Sequence, residues 1–348
     1  MSRSRKWFLP VLTGRSGIGL CRVFLCAALV LPGIRPDTPT PDTPTEDEPV
    51  TPVVVVDDLD PTKVALGRKL FQDPRISGGN TVSCTSCHDL DRSGDDQNRR
   101  SLGSDGRLLD FNAPTIFNAA LNFRFNWRGN FRTLEAQNEA VLLSPRLMNI
   151  SWDELLKRLR DDRDYQSAFS ATYGGGPQRS SVLDALATFQ RSLLTPDAPF
   201  DDYLRGAPDA ITADQQRGYE RFKSYGCIAC HQGRNLGGNL LEKFGVFADP
   251  FAGRAMTNTD LGRYSITHLD NDRQVFRVPS LRNVAMTAPY FHDGHVSSLT
   301  EAVDTMARSQ LGRELPKQDL DLIVGFLNTL TGKYQGRSLA APADRNAQ

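Results

Sequence analysis

Two short stretches of this 348-residue sequence carry the residues best suited to chemistry. Residues 83–90, SCTSCHDL, put Cys84 and Cys87 two residues apart with His88 directly after, and residues 226–233, GCIACHQG, repeat the pattern with Cys227, Cys230 and His231. Thiols at that spacing fall on one turn of helix, where both can add to the vinyl groups of a single haem while the adjacent histidine reaches the iron. A four-cysteine zinc site and a dithiol redox pair also use Cys-x-x-Cys, but neither requires histidine after the second cysteine. With 5 histidines in 348 residues, chance does not put one after both pairs. A thioredoxin-like site would also need a βαβ setting, and that pattern is missing. The two units are therefore read as attachment sites for two covalently bound c-type haems.

The elements that must position these units are themselves written twice. LGRKLF (66–71) and RGYERF (217–222) share Gly-x-x-x-Phe on a helix leading toward each motif. Asp60 and Pro61 start the first helix as N-cap and first helical residue, and Thr212 with Gln215 forms a capping box on the second. Downstream, residues 112–134 align with 277–299 without a gap: Pro114 with Pro279, Asn118 with Asn283, Ala120 with Ala285, Gly129 with Gly294, Leu134 with Leu299, and Trp127 opposite His292. The boundary between copies falls near Pro199. SWDELLKRL (151–159), with Ser151 and Glu154 as a second capping box, SSVLDALATFQRSLL (180–194) and DLDLIVGFLNTL (319–330) are amphipathic helices whose apolar stripes serve core packing. Strands are scarce, apart from a candidate at VVVV (53–56). The fold class is mainly α, with two tandem c-type cytochrome domains related by an internal repeat, residues 60–200 and 201–335, and a disordered tail over 336–348.

Composition adds limits. The length favours two domains, and apolar residues at 39% suffice for ordinary cores. Lys plus Arg equals Asp plus Glu at 41 each, so no overall field favours nucleic acid, and no nucleic-acid partner is expected. Residues 1–35 read as an export signal or N-terminal hydrophobic segment: Arg3, Arg5, Lys6 and Arg15 precede the apolar run 23–32, which suits a secretory signal and is too short to span a bilayer. Arg22 interrupts a longer run, and no clear cleavage site follows. The chain is accordingly expected in the periplasm, exported, with an uncleaved N-terminal tether as the alternative. Residues 36–59, with the tandem PDTPT, read as an extended, mobile linker, folded sequence beginning near Asp60.

The duplicated architecture, the two haem motifs and FHDG (291–294) together resemble the bacterial di-haem cytochrome c peroxidase/MauG superfamily over roughly residues 60–335. FNWRGNFRTLEAQ (125–137) and DLGRY (260–264) look most like its MbnH-type branch, whose enzymes oxidise a partner protein. The resemblance implies that the haem at His231 takes Met306, from the helix after FHDG, as its second axial ligand, with Met286 as competitor and His268, His292 and His295 outside the set. A thioether is uncharged and favours ferrous iron, raising the potential. His292 is expected to hydrogen-bond a propionate or backbone group. Trp127 matches the tryptophan between the two haems, a plausible relay, and Gln137 matches a distal glutamine. Asn112, Thr287 and Pro289 match the positions that hold a calcium ion, which takes oxygen ligands of these kinds.

Two positions depart from the family. Ser104 stands where many members place a removable axial histidine, and no histidine occurs between His88 and His231; the haem at His88 is then five-coordinate and open, as in MauG-like enzymes. The distal acid of the family falls on Leu147, in SPRLM (144–148). Leucine cannot transfer a proton, and Glu135 and Glu139 are nearby but out of register. The sequence is read as an exported di-haem c-type peroxidase or oxidase taking hydrogen peroxide at the His88 haem, with electrons relayed from the His231 haem. They come from a small periplasmic donor, a cytochrome c or copper protein. The alternatives are MauG- or MbnH-like oxidation of a partner protein's side chain and a di-haem electron carrier without catalysis. A homodimer is compatible with each.

Overall fold

The computed structural model describes residues 48–55 and 58–340; the expected export segment, the PDTPT repeat and residues 341–348 lie outside them. Ten helices dominate: α1 (Pro61–Gln72), α2 (Leu134–Leu143), α3 (Trp152–Asp161), α4 (Arg163–Tyr173), α5 (Arg179–Arg191), α6 (Pro199–Leu204), α7 (Ala213–Ser224), α8 (Tyr264–Thr267), α9 (Leu299–Leu311) and α10 (Lys317–Asn328). Two short antiparallel pairs supply the strands: β1 (Leu241–Lys243) with β2 (Val275–Arg277), and β3 (Lys333–Tyr334) with β4 (Arg337–Ser338). Val53–Val55 form no strand; Val53 is buried, but Val54 and Val55 face solvent and have no pairing partner.

The helix starts follow local chemistry. Asp60 accepts from the N–H groups of Thr62 and Lys63 at the start of α1, and Thr212 and Gln215 bond reciprocally at the start of α7. Ser151 caps α3 by accepting from Glu154 N–H, but the return bond of a capping box is not made: the Glu154 carboxylate pairs with Arg158 one turn on. Leu155 and Leu159 of this helix are buried, and Trp152 and Leu156 pack beside them.

Each Gly-x-x-x-Phe helix crosses a partner at minimal separation. A Cβ on Gly67 would collide with Ala185 O of α5, and one on Gly218 with Leu322 O of α10; only glycine lets the backbones approach so closely. Around α1 and α5 lies a first core that includes Phe71, Phe117, Phe169 and Phe189; around α7 and α10 lies a second with Phe200, Tyr219, Phe222 and Phe326. Between them the aligned Asn118 and Asn283 both adopt left-handed backbone (φ 58° and 61°) and open a 3₁₀ turn. Both donate from Nδ2 to the single Oγ1 of Thr195, at 2.6 and 3.0 Å. Asn118 Oδ1 accepts from Thr195 N–H (2.9 Å) and Asn283 Oδ1 from Gly332 N–H (3.0 Å).

The chain ends depart from the sequence reading. Residues 48–53 are not a free linker: Val50 and Val53 are fully buried, Val50 within the second core. Arg282 Nη2 donates to Thr51 O (3.0 Å), Val53 N–H to Asp201 Oδ1 (3.2 Å), and Gly233 N–H to Pro49 O (2.8 Å). Arg282 and Asp201, both fully buried, pair at 2.7 Å beneath this strap. Nor is 336–340 a disordered tail: β3 and β4 form a hairpin whose Tyr334 and Leu339 join the first core rather than the second. The Tyr334 ring packs tilted against Phe117 (4.9 Å between centroids), and its hydroxyl accepts from Arg68 (3.0 Å).

Candidate haem sites and the cleft between them

The first motif forms a tight 3₁₀ turn, Cys84–Ser86, closed by Cys87 N–H and His88 N–H donating to Cys84 O. His88 Nδ1 lies 3.1 Å from Gly94 O. A carbonyl only accepts, so Nδ1 carries the proton and Nε2 is left free, the arrangement a metal-binding histidine needs. The second motif repeats this: Cys227–Ala229 turns, His231 N–H donates to Cys227 O, and His231 Nδ1 sits 3.2 Å from Leu236 O. Gly237 passes so close to Pro279 O and His231 Nδ1 that a side chain there would be excluded. Burial pulls both imidazoles toward the neutral, ligating form, His231 to about 4.

The thiols separate haem attachment from the competing uses of Cys-x-x-Cys. A redox dithiol needs a depressed thiol pKa, whereas burial pushes Cys84 up to about 12 and Cys227 to about 11. A four-cysteine zinc site needs four converging thiols, and all four are free without forming a cluster. Among the described residues the one grouping of metal-binding side chains is Asp260, His292 and Asp293, and its lone pairs are already used. Asp260 accepts from Arg254 Nη1 and Nη2 (2.7 Å each), from Thr257 N–H and Oγ1 (2.6 and 2.7 Å), and pairs with His292 Nε2 (2.8 Å). Burial alone would raise the Asp260 carboxyl, but these donors hold it well below the usual range. His292 Nε2 is thus bound to a carboxylate. Its other contacts are aromatic: it stacks on Phe276 at 4.6 Å and meets Trp127 edge-on at 6.5 Å.

A partly open cleft with a cavity volume of about 170 Å³ lies against the second core, with residues 112–117 and Trp127 on its other wall. Its wall brings together Cys227, His231, Met306, Trp127 and Arg277 with Asn112, Thr287 and Pro289. Of the residues considered as second ligand opposite His231, Met306 alone lines it. Met286 lies off the wall with its carbonyl near Gln97 Nε2 (3.4 Å), His268 is exposed at the end of α8, and His295 is held by Asp293 (2.6 Å). Trp127 reaches the cleft from a hairpin bridged at Phe125 and Phe131, and its Nε1 donates to Asn112 O (2.8 Å). Asn112 commits its amide N–H groups to Asn98 O (3.0 Å) and Arg99 O (3.5 Å), and Thr287 donates to Val284 O (3.2 Å), so oxygens remain as their free groups.

On the other side, Gln137 projects from α2 and its Oε1 is buried without a hydrogen-bond partner, an orphan that suits a ligand-bearing pocket. Leu147 sits half-buried in the turn after α2, its N–H on Ser144 O. Leu142 beside it is buried, but Leu143 is 42% exposed. The two displaced acids are occupied: Glu135 pairs with Arg191 (2.5 Å), and Glu139 with Arg179 (2.6 Å) and Trp152 Nε1 (2.8 Å). The Arg179 bond holds Glu139 below its ordinary pKa. Ser104 is exposed and bonds the backbone of that turn, N–H to Arg146 O (3.1 Å) and Oγ to Pro145 O (3.2 Å). Three features escaped sequence reasoning: the Asp260–His292 pair, the buried Arg277, and Asp95. Burial pushes the Asp95 carboxyl up to about 6, and its Oδ2 has no partner. Only the run SGDD (93–96) beside the first motif hinted at the last.

A mainly helical protein with two Cys-x-x-Cys-His turns, the second of them lining a cleft, defines the class. The chain belongs to the di-haem cytochrome c peroxidase family: the family of that description matches residues 61–209. Cytochrome c peroxidase Ccp of Escherichia coli (strain K12) is 43% identical over 276 residues, 79% of this chain but 59% of that longer protein. Cytochrome c551 peroxidase of Nitrosomonas europaea is 37% identical over 284 residues, 81% of this chain and 84% of the relative. Among solved structures, a MauG-like protein associated with microbial copper homeostasis superposes with a TM-score of 0.71 at 29% identity, covering 88% of this chain and 97% of the other.

Proposed function

We propose that this chain is an exported c-type di-haem peroxidase that accepts hydrogen peroxide at the His88 site and draws electrons through the His231 site. One observation carries the reading: His231, Met306 and Trp127 share a single cleft wall. Cys84 and Cys87, and Cys227 and Cys230, would hold the haems by thioether bonds, with His88, His231 and Met306 as axial ligands. When bound, the haems supply peroxide reduction at one iron and one-electron storage at the other. His88 and His231 keep Nε2 aimed and unprotonated through their Nδ1 bonds. Gln137 would position an oxygen ligand through its unpaired amide. Trp127, fixed by Asn112, would bridge the two sites. Asn112, Thr287 and Pro289 would hold a calcium ion with oxygen atoms of the same wall.

The same reading makes the chain two tandem haem domains, residues 60–200 and 201–335, with the hairpin 333–339 attached to the first core. It places the protein in the periplasm, from the apolar run 23–32. No helix among the described residues is long and apolar enough to cross a membrane. The donor would be a small cytochrome c or copper protein, and a homodimer is included.

A second reading, oxidation of a partner protein's side chain, is supported by the likeness to the MauG-like structure. A third, electron transfer without catalysis, is supported by Leu147 and by the commitment of Glu135 and Glu139 to arginines. Steady-state peroxide consumption with a reduced cytochrome separates them: rapid turnover supports the peroxidase, its absence with oxidation of a co-purified partner supports the second, and neither supports the carrier.

A further inference from the structure

Arg277, the last residue of β2, is 4% exposed, yet no carboxylate pairs with it among the described residues. Its contacts are long and neutral: Nε to Asn126 O (3.4 Å), Nη1 to Val278 O (3.4 Å) and to Asn122 Oδ1 (3.5 Å). Nη2 has no hydrogen bond in the described chain. Arg282, five residues on and equally buried, has its counter-ion in Asp201 at 2.7 Å. The nearest candidate acid on the paired strand, Glu242, turns its carboxylate back to Lys243 N–H (2.8 Å). Burial lowers the Arg277 pKa to about 10, which still leaves it charged at neutral pH.

The backbone of Arg277 is held in place. Its N–H donates to Trp127 O (2.8 Å) and it pairs with Leu241 across the β1–β2 ladder. Its side chain lines the cleft that contains Cys227 and His231. A guanidinium offers a planar fork of donors that matches a carboxylate, and a buried one without a counter-ion in its own chain is built to receive an anion.

We propose that Arg277 is the counter-ion of a carboxylate inside the cleft, a propionate of the haem attached through Cys227 and Cys230, and that its charge raises that haem's reduction potential. The assignment rests on the reading of the His231 site as a haem site. A fixed cation near the iron disfavours the additional positive charge of the ferric state, so removing it lowers the potential.

The test uses the holoprotein with Arg277→Met and Arg277→Lys. A pyridine haemochrome count of two haems per wild-type chain upholds the haem reading, and fewer overturns that reading by itself. Given two haems, Arg277→Met shifts the ferric–ferrous equilibrium of the high-potential haem toward ferric by at least tenfold, about 59 mV for a one-electron couple. The haem at His88 keeps its potential. An unmoved midpoint in Arg277→Met overturns the assignment. Where Arg277→Met does not fold, Arg277→Lys decides through the resonance Raman propionate bending bands of the wild type and variant: a shift supports the pairing, and identical bands overturn it. Phosphate titration of the wild-type midpoint separates the two sources of anion, since a midpoint that moves with phosphate means a diffusible ion fills the fork and overturns the propionate.

Discussion

Breaking the Arg282–Asp201 pair should be far more damaging than removing it. Both side chains are fully buried at 2.7 Å, and burial dominates both: it raises the Asp201 pKa and lowers that of Arg282 despite the partner. Desolvation therefore exceeds the mutual attraction, and the pair is not a net source of stability. Asp201→Ala strands a buried guanidinium on two carbonyls, Thr51 O and Arg234 O (3.0 Å each), at a cost of about 3–5 kcal/mol. It also takes the acceptor from Val53 N–H (3.2 Å), worth about 1 kcal/mol more. At about 2 °C per kcal/mol for a chain this large, Tm should fall by roughly 8 °C or more. Arg282→Met leaves Asp201 with the N–H groups of Val53 and Ala198, so it should cost less. The double variant Asp201→Ala/Arg282→Met should cost less than Asp201→Ala alone. Denaturant unfolding and calorimetry of the holoproteins measure all three, and proteolysis at 48–55 should accelerate most in Asp201→Ala. A double variant that costs more than Asp201→Ala alone would show that the stranded guanidinium carries no such penalty and that the desolvation argument is wrong.

Met306→Ala should lower the potential of the His231 haem and remove its thioether-to-iron absorption band while leaving the His88 haem spectrum unchanged; unchanged spectra and potentials would pass the ligand role to Met286. Leu147→Glu should speed the spectral change on mixing with peroxide by at least about tenfold, out of the roughly 10²- to 10⁴-fold that a positioned acid contributes. A wild-type rate already fast in stopped flow, and unmoved by the change, refutes the register at that turn. Asp95, raised from 3.8 to about 6, keeps its proton in the folded chain where the unfolded chain has lost it. Stability should therefore fall as pH rises from about 4 to 6, by up to about 3 kcal/mol, and Asp95→Asn should flatten that slope in denaturant titrations at pH 4.5 and 7.

What the sequence disclosed was whatever depends on local spacing. The Cys-x-x-Cys-His turns, the caps at Asp60 and Thr212, and the glycines at 67 and 218 follow from contacts within a turn or from one close crossing. The gap-free alignment of 112–134 with 277–299 likewise anticipated that Asn118 and Asn283 occupy the same backbone state. The strap at 48–53 was hidden because its two buried valines stand in a Pro-rich, acidic run with no periodicity. The capping box at Ser151 failed because Arg158 competes for Glu154. The Asp260–His292 bond joins residues in separate loops, and the isolation of Arg277 is a fact about which acids do not reach it. Neither leaves a trace in spacing.

The two ends of the described chain are exchanged: residues 48–53 close over the second core, and Tyr334 and Leu339 complete the first. Cys84 thus packs against a core that Tyr334 and Leu339, from the far end of the described chain, complete. A fragment ending near residue 200 would lack Tyr334 and Leu339 from its own core, and one starting near residue 60 would lack Val50 from the second.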